Sequence, residues 1–212
     1  MQKSEFRFCK DIGMWASDRS REKSCLWKTE ACKKCYNVKL EHLYPKMLTK
    51  DIRNDAYWLA LTGDVFADWA SHRRTPIKRF RFQTRGETFA SLADVFKVRD
   101  ILLKNSSIEF WIPTRAWRSE LRGLIESLVM PLKNCFLQAS TEPSTTAKEW
   151  ESLKNDGWST MFFGDDSMRK TPTGQKVFEC PKTHKKLKSH CVICKAGCFR
   201  SGKQVAIHLM SH

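Results

Sequence analysis

The sequence lacks any apolar run approaching the roughly 18–20 residues that a membrane-spanning helix requires. Its first residues, MQKSEFRFCKDIG, contain no apolar stretch of the secretory kind. Both absences place the chain in the cytoplasm with no membrane partner, in a reducing compartment where structural disulfides are rare. It has no internal repeat and no low-complexity tract, which excludes a solenoid or a mainly disordered chain. No His-x-His pair occurs and only three tyrosines are present, Tyr36, Tyr44 and Tyr57, which argues against a nuclease with a histidine-held metal and a tyrosine nucleophile. Acidic residues are scarce in two stretches: residues 73–86 hold no acid among six Arg/Lys, and residues 168–212 hold only Glu179 against ten.

The 212 residues are 41% hydrophobic and 11% aromatic, with eight tryptophans, enough to bury a proper core. The net charge is +15. Clustered basic charge suits a polyanion such as nucleic acid, bound through phosphate contacts. It equally suits charge balance around anionic thiolate centres.

Hydrophobic periodicity predicts alternating strands and helices after an irregular N-terminal region. A short strand is expected over residues 5–9, and irregular chain over 10–45. One or two amphipathic helices are expected over 51–72, from the spacing of Ile52, Trp58, Leu59, Leu61, Val65, Phe66 and Trp69. Pro76 breaks the chain. Strands then follow at 78–84, 108–114, 134–139 and 159–163, separated by helices at 88–103 (capped by Thr88 or Ser91), 119–132 and 147–155. This order predicts an α/β fold: a parallel sheet, doubly wound or a partial (βα) barrel, with right-handed crossovers. Ligands should gather at the C-terminal strand ends. Residues 1–167 read as the core with its cysteine loop. Residues 168–212 read as a basic, cysteine-rich metal-binding segment packed on that core.

Nine cysteines fall into two clusters and a remainder. Cys25-x6-Cys32-x2-Cys35 lies among Lys28, Thr29, Glu30, Lys33 and Lys34, polar surroundings unlike those of a buried free cysteine. Three thiolates can hold a four-iron cluster and leave one iron open. Zinc would need a fourth ligand, with Cys9 or His42 available. The second cluster is Cys180-Pro181 with Cys191-x2-Cys194-x3-Cys198. Four cysteines complete either a zinc site or a closed four-iron cluster, and the crowding of three within eight residues favours iron–sulfur over a zinc ribbon. His190 could replace a cysteine ligand. Nearby Lys182, Lys185, Lys186, Lys188 and Lys195 would offset the charge, Cys135 reads as core, and His208 and His212 as surface or tail residues.

The motif order is an N-terminal C…C-x2-C-Tyr, then Arg85-Gly86-Glu87, then Phe110-Trp111-Ile112-Pro113-Thr114-Arg115-Ala116-Trp117, then the terminal cysteines. It resembles the phage and plasmid "gene product 88" family, and the layout is similar to radical S-adenosylmethionine (SAM) enzymes. The resemblance implies a partial (βα) barrel in the host cytoplasm, one or two 4Fe-4S clusters, SAM as a further cofactor, and a C-terminal auxiliary cluster. It implies that Cys25, Cys32 and Cys35 hold the open cluster, and that Gly86 and Glu87 receive the SAM amino group. Gln138, Ser140 and Thr141 stand where ribose or carboxylate contacts fall, and Cys180, Cys191, Cys194 and Cys198 hold the auxiliary cluster. The first cysteine gap is six where radical SAM loops have three, and Arg85 replaces the first glycine of the family's Gly-Gly-Glu motif. Two functions follow from these residues: a radical-SAM-like iron–sulfur enzyme acting on nucleic acid or a nucleotide, or a non-enzymatic iron–sulfur or zinc protein that binds DNA or RNA, with Trp111, Trp117 and Arg115 stacking bases or contacting phosphate.

Overall fold

A computed structural model of the chain describes residues 6–184, 191, 194, 198, 199 and 204–209. Two short strands, β1 (Arg7–Cys9) and β2 (Met14–Ala16), form an antiparallel pair. The helices α1 (Arg21–Ser24), α2 (Tyr36–Leu43), α3 (Pro45–Ala60) and α4 (Gly63–Ser71) follow, then β3 (Arg79–Arg81) and α5 (Leu92–Lys104). Next come β4 (Glu109–Thr114), α6 (Arg122–Leu128), β5 (Cys135–Thr141), α7 (Ala147–Asn155) and β6 (Ser159–Phe163). The last elements are β7 (Val177–Glu179), α8 (Pro181–His184) and β8 (Ala206–Leu209). Together the strands make one sheet in the order β1-β2-β3-β4-β5-β6-β8-β7, parallel except for β1. Among the described residues no helix is long and apolar enough to cross a membrane.

Strands β2 to β6 sit side by side in chain order. Right-handed crossovers in one direction return the helices between these strands to the same face, so this part of the sheet is not doubly wound, whereas the order reverses beyond β6, at β8-β7. Side chains alternate across a strand. Phe80, Phe82, Phe110, Ile112, Leu137 and Ala139 therefore point to the helical face. There they pack with Trp58 of α3, Phe66 and Trp69 of α4, Val98 and Ile101 of α5, Ile125 of α6 and Leu153 of α7. Aromatic rings make much of this contact edge to face, as between Phe66 and Phe80 at 5.0 Å. The opposite face carries Met14 and Ala16, covered by Cys191 and Phe199. Phe199 also meets the rings of Trp111 and Phe136.

Several expectations need correction. The region expected to be irregular contains β2, α1 and α2, and β2 begins the parallel part of the sheet. Three residues of strand, MWA, are too few for a period-two pattern to register. The amphipathic stretch is two helices divided at Leu61-Thr62, where the Thr62 side chain accepts from the Val65 N–H and starts α4. Ser91, not Thr88, caps α5. The third strand stops at Arg81, and Gln83 follows with φ 47°, which ends strand geometry. The C-terminal segment does more than pack on the core: β7 and β8 are hydrogen-bonded into the sheet. His208, expected at the surface or in the tail, is fully buried in β8. Trp111 and Trp117, considered as base-stacking residues, are both buried.

Candidate metal centres

The N-terminal cysteine loop springs from the C-terminal end of β2. Residues 17–20 run buried beside the end of β3, with Ser17 N–H donating to the Arg81 carbonyl and Arg19 N–H to that of Arg85. Asp18 there accepts from Arg7 at 2.5 Å and from the Thr84 hydroxyl, and pairs with Arg85 at 3.1 Å. Arg85 also forks onto Asp51 of α3 at 2.6 and 2.7 Å, so it ties β3 to the helical layer. Ser20 caps α1, which ends at Cys25.

Gly86 has φ +81°, and a Cβ there would stand 2.5 Å from Ser24 Oγ and 2.7 Å from the Arg19 carbonyl oxygen. Only glycine lets the β3 turn press on the residue before Cys25. The next backbone N–H, of Glu87, donates to Ser24 Oγ at 2.9 Å. The Glu87 carboxylate is buried and accepts four protein donors. Thr88 N–H and the Thr114 hydroxyl reach Oε1 at 2.7 Å, Phe89 N–H reaches it at 3.3 Å, and Arg115 N–H reaches Oε2 at 2.8 Å. Burial raises its pKa, against those four bonds. Three of the roughly four lone-pair sites of a carboxylate are thus filled by donors at 2.7–2.8 Å, and Glu87 chiefly fastens the end of β3 to the end of β4.

The far end of the loop is held at β5. The Thr29 hydroxyl donates to Glu142 Oε2 at 2.8 Å, while Arg118 donates to Oε1 at 3.0 Å and Arg115 lies 3.6 Å from Oε2. Cys25 follows the first anchor in the chain, and Cys32 follows the second, its sulfur accepting from the Thr29 N–H at 3.4 Å. Burial first, then Glu87, Cys35 and Cys32, push the Cys25 thiol up to about 12, so these groups are its electrostatic neighbours.

The second centre lies on the face away from the helices. Cys180, Cys191, Cys194 and Cys198 line one cavity with Trp111, Met161, Phe199, Ile207 and Leu209. Its volume is about 30 Å³, roughly twice what a single water needs. Burial first, then the other cysteines of the set, raise Cys198 to about 12 and Cys191 to about 11. Lys182 and Arg81 act against the rise at Cys191, and Gln138 against that at Cys198. All nine cysteines are free thiols. Among the described residues no three His, Cys, Asp or Glu side chains converge as a ready ligand set. The four sulfurs therefore share a cavity without meeting at one point. The donor set is one that zinc or iron–sulfur accepts.

The expected site residues divide between the two centres in an unexpected way. Gly86 and Glu87 adjoin the N-terminal loop. Gln138, assigned there from its place near a strand end, instead belongs to the second centre, beside Trp111 and Cys198. Ser140 is buried, and its carbonyl accepts from Trp117 Nε1 at 3.0 Å. Cys135 packs at the edge of the main core, its thiol pushed up by burial. His190, His212, Lys185, Lys186, Lys188 and Lys195 lie outside the described residues.

One pair escaped sequence reasoning. His208 stacks on Phe162, and its Nδ1 lies 3.0 Å from Nε2 of His184. Burial lowers the His208 pKa, and His184 lowers it further. A strand pattern over AIHL would have been the only signal.

A family model described as Gene product 88 matches residues 3–203. No curated protein and no solved structure matches the chain.

Proposed function

The chain belongs to the Gene product 88 family, and from that membership and the two cysteine sites we propose an iron–sulfur protein of phage or plasmid type with two centres, the N-terminal one open and SAM-binding as in radical SAM enzymes. One observation carries this reading. The loop that carries Cys25, Cys32 and Cys35 is anchored at the C-terminal ends of parallel strands, by Gly86 against Ser24 and by Thr29 on Glu142. Parallel sheets collect ligands at that end. A four-iron cluster on Cys25, Cys32 and Cys35 would supply an iron free to bind the amine and carboxylate of SAM and an electron to cleave its sulfonium.

The protein's own residues would set the rest. Glu87 keeps room on Oε2 for one more donor and could take one N–H of an ammonium. Gly86 lets the β3 turn close on Ser24 and Arg19 at the root of the loop. Arg115 and Arg118, already turned toward Glu142, would keep the rim of the site basic. The test is anaerobic reconstitution with iron and sulfide, then reduction in the presence of SAM. Methionine and a deoxyadenosine product from the parent chain, and neither from Cys25→Ala, would support the reading. A reduced, iron-loaded protein that leaves SAM intact would overturn it.

A second reading, a non-enzymatic metal protein that binds DNA or RNA, is favoured by a different observation. Phe8 on the edge strand β1 is half exposed and meets Trp15 edge to face, and Arg73 lies over the rings of Trp15 and Trp69. Arg74 and Lys78 are exposed in the same basic stretch. Aromatic faces beside arginines suit single-stranded nucleic acid. The small cavity at the four cysteines would fit this reading with zinc as the metal. Binding to mixed oligonucleotides that weakens steeply with salt, and a stoichiometric zinc content, would favour it.

A further inference from the structure

The sheet face beneath the four-cysteine cavity carries polar groups that the fold itself does not use. Arg81 Nε and Gln138 Nε2 are both buried without a hydrogen-bond partner. Leaving such a donor unsatisfied costs about 1–3 kcal/mol. The two lie around one side chain, Trp111, which is part of the cavity wall. Arg81 pairs in register with Trp111, and its guanidinium lies 4.4 Å from that ring's centroid. Gln138 pairs with Pro113, two residues along β4, and its Oε1 accepts from Trp111 Nε1 at 2.7 Å. That bond uses the oxygen of the amide and leaves the NH2 group for another acceptor.

The acceptors at hand are sulfur. Arg81 and Gln138 both stand against Trp111 on the sheet face that bears the cavity, and Trp111 shares that cavity with Cys191 and Cys198. Arg79 supports the same loop from two residues away, donating to the Cys191 carbonyl at 3.4 Å and lying 4.3 Å from the Phe199 ring centroid.

We propose that Arg81 and Gln138 are positioning residues for the four-cysteine centre, donating N–H···S hydrogen bonds to the thiolates of Cys191 and Cys198 once a metal is bound. This rests on the reading of that cavity as a metal–thiolate site, whichever metal fills it. Four thiolates around a divalent ion, or a closed four-iron cluster, carry net negative charge in a buried place. One guanidinium and one amide dipole behind the Trp111 wall of the cavity would offset part of it. Outer-shell donors of this kind orient ligands and tune the metal.

The test is an anaerobic Co2+ titration of the full chain carrying Cys25→Ala, so that the C-terminal site dominates the thiolate-to-cobalt absorption bands. Gln138→Glu keeps the acceptor for Trp111, removes the donor and adds a negative charge. It is expected to weaken Co2+ binding at least tenfold and to shift the bands. Arg81→Leu should weaken binding comparably, and Arg81→Lys should restore part of the loss. Metal-free variants should melt within a few degrees of the parent, which separates positioning from folding. Should Gln138→Glu not fold, the Arg81 pair carries the test. Unchanged affinity and unchanged bands in Gln138→Glu and Arg81→Leu would overturn the proposal alone. A Co2+ spectrum indifferent to Cys194→Ala would overturn the metal–thiolate reading beneath it.

Discussion

Gly86 is where one missing side chain decides a loop. A methyl group there would meet Ser24 and the Arg19 carbonyl below 3 Å, in a conformation that L residues adopt only at a cost of about 1–2 kcal/mol. Gly86→Ala should lower the melting temperature by several degrees. It should also cost metal at the N-terminal site while Cys180, Cys191, Cys194 and Cys198 keep theirs, as metal analysis of the variant against Cys25→Ala would show. Glu142 gives the pH counterpart. Burial works to raise its pKa, but Thr29, Arg118, Arg115 and Ser144 outweigh it and hold the carboxyl below its ordinary range. An acid whose folded pKa is lowered stabilises the fold fully above the unfolded carboxylate range, and that contribution fades as pH falls through the folded pKa. Glu142→Gln should therefore lose stability near neutrality, about 1–3 kcal/mol for charged hydrogen bonds, and show a flatter acid limb in denaturation from pH 6 downward. An acid limb parallel to the parent's would contradict this. At this scale the sequence was generous with cysteines, whose spacing marked out both candidate sites. It marked Gln138 only as a strand-end residue and was silent on its place beside Trp111, because the face a strand residue occupies depends on register with neighbours far along the chain.

Among the elements, α3, α5 and the segment after β2 are joined through one carboxylate. Asp94 in the first turn of α5 accepts from Trp58 Nε1 of α3 at 2.6 Å, from Ala90 N–H at 3.0 Å and from Arg19 at 3.2 Å. Arg19 sits six residues before Cys25, so this junction fixes the root of the cysteine loop. Asp94→Ala should destabilise the fold by about 3 kcal/mol in chemical denaturation, since it leaves a buried arginine short of one partner and a buried indole N–H with none. A loss below about 1 kcal/mol would mean the junction is not a support. The long elements were legible because their apolar spacing is strong: α7 and β6 fall at the expected residues, and β4 and β5 nearly so. The short strands β2, β7 and β8 were not. Three or four residues carry too little pattern, and backbone pairing with distant strands makes them strands.

Taken whole, the molecule uses the two faces of one sheet for different ends. Helices and most of the aromatic core cover one face, and the cysteine-bearing C-terminal segment covers part of the other. The N-terminal loop sits at the strand ends. The two sites have separate anchors, so loss of one should leave the other able to fill. The α/β class and the parallel sheet followed from alternating strand and helix patterns. The division of faces followed only from the register, in which Trp111 and Phe136 stand side by side on the second face. The most direct measurement is iron and sulfide content, with electron paramagnetic resonance, on the anaerobically reconstituted chain and on Cys25→Ala and Cys194→Ala. Two independent clusters predict about eight irons in the parent and about four in each variant, with a different signal surviving in each. A colourless protein holding zinc alone, or a single cluster abolished by either substitution, would contradict the account.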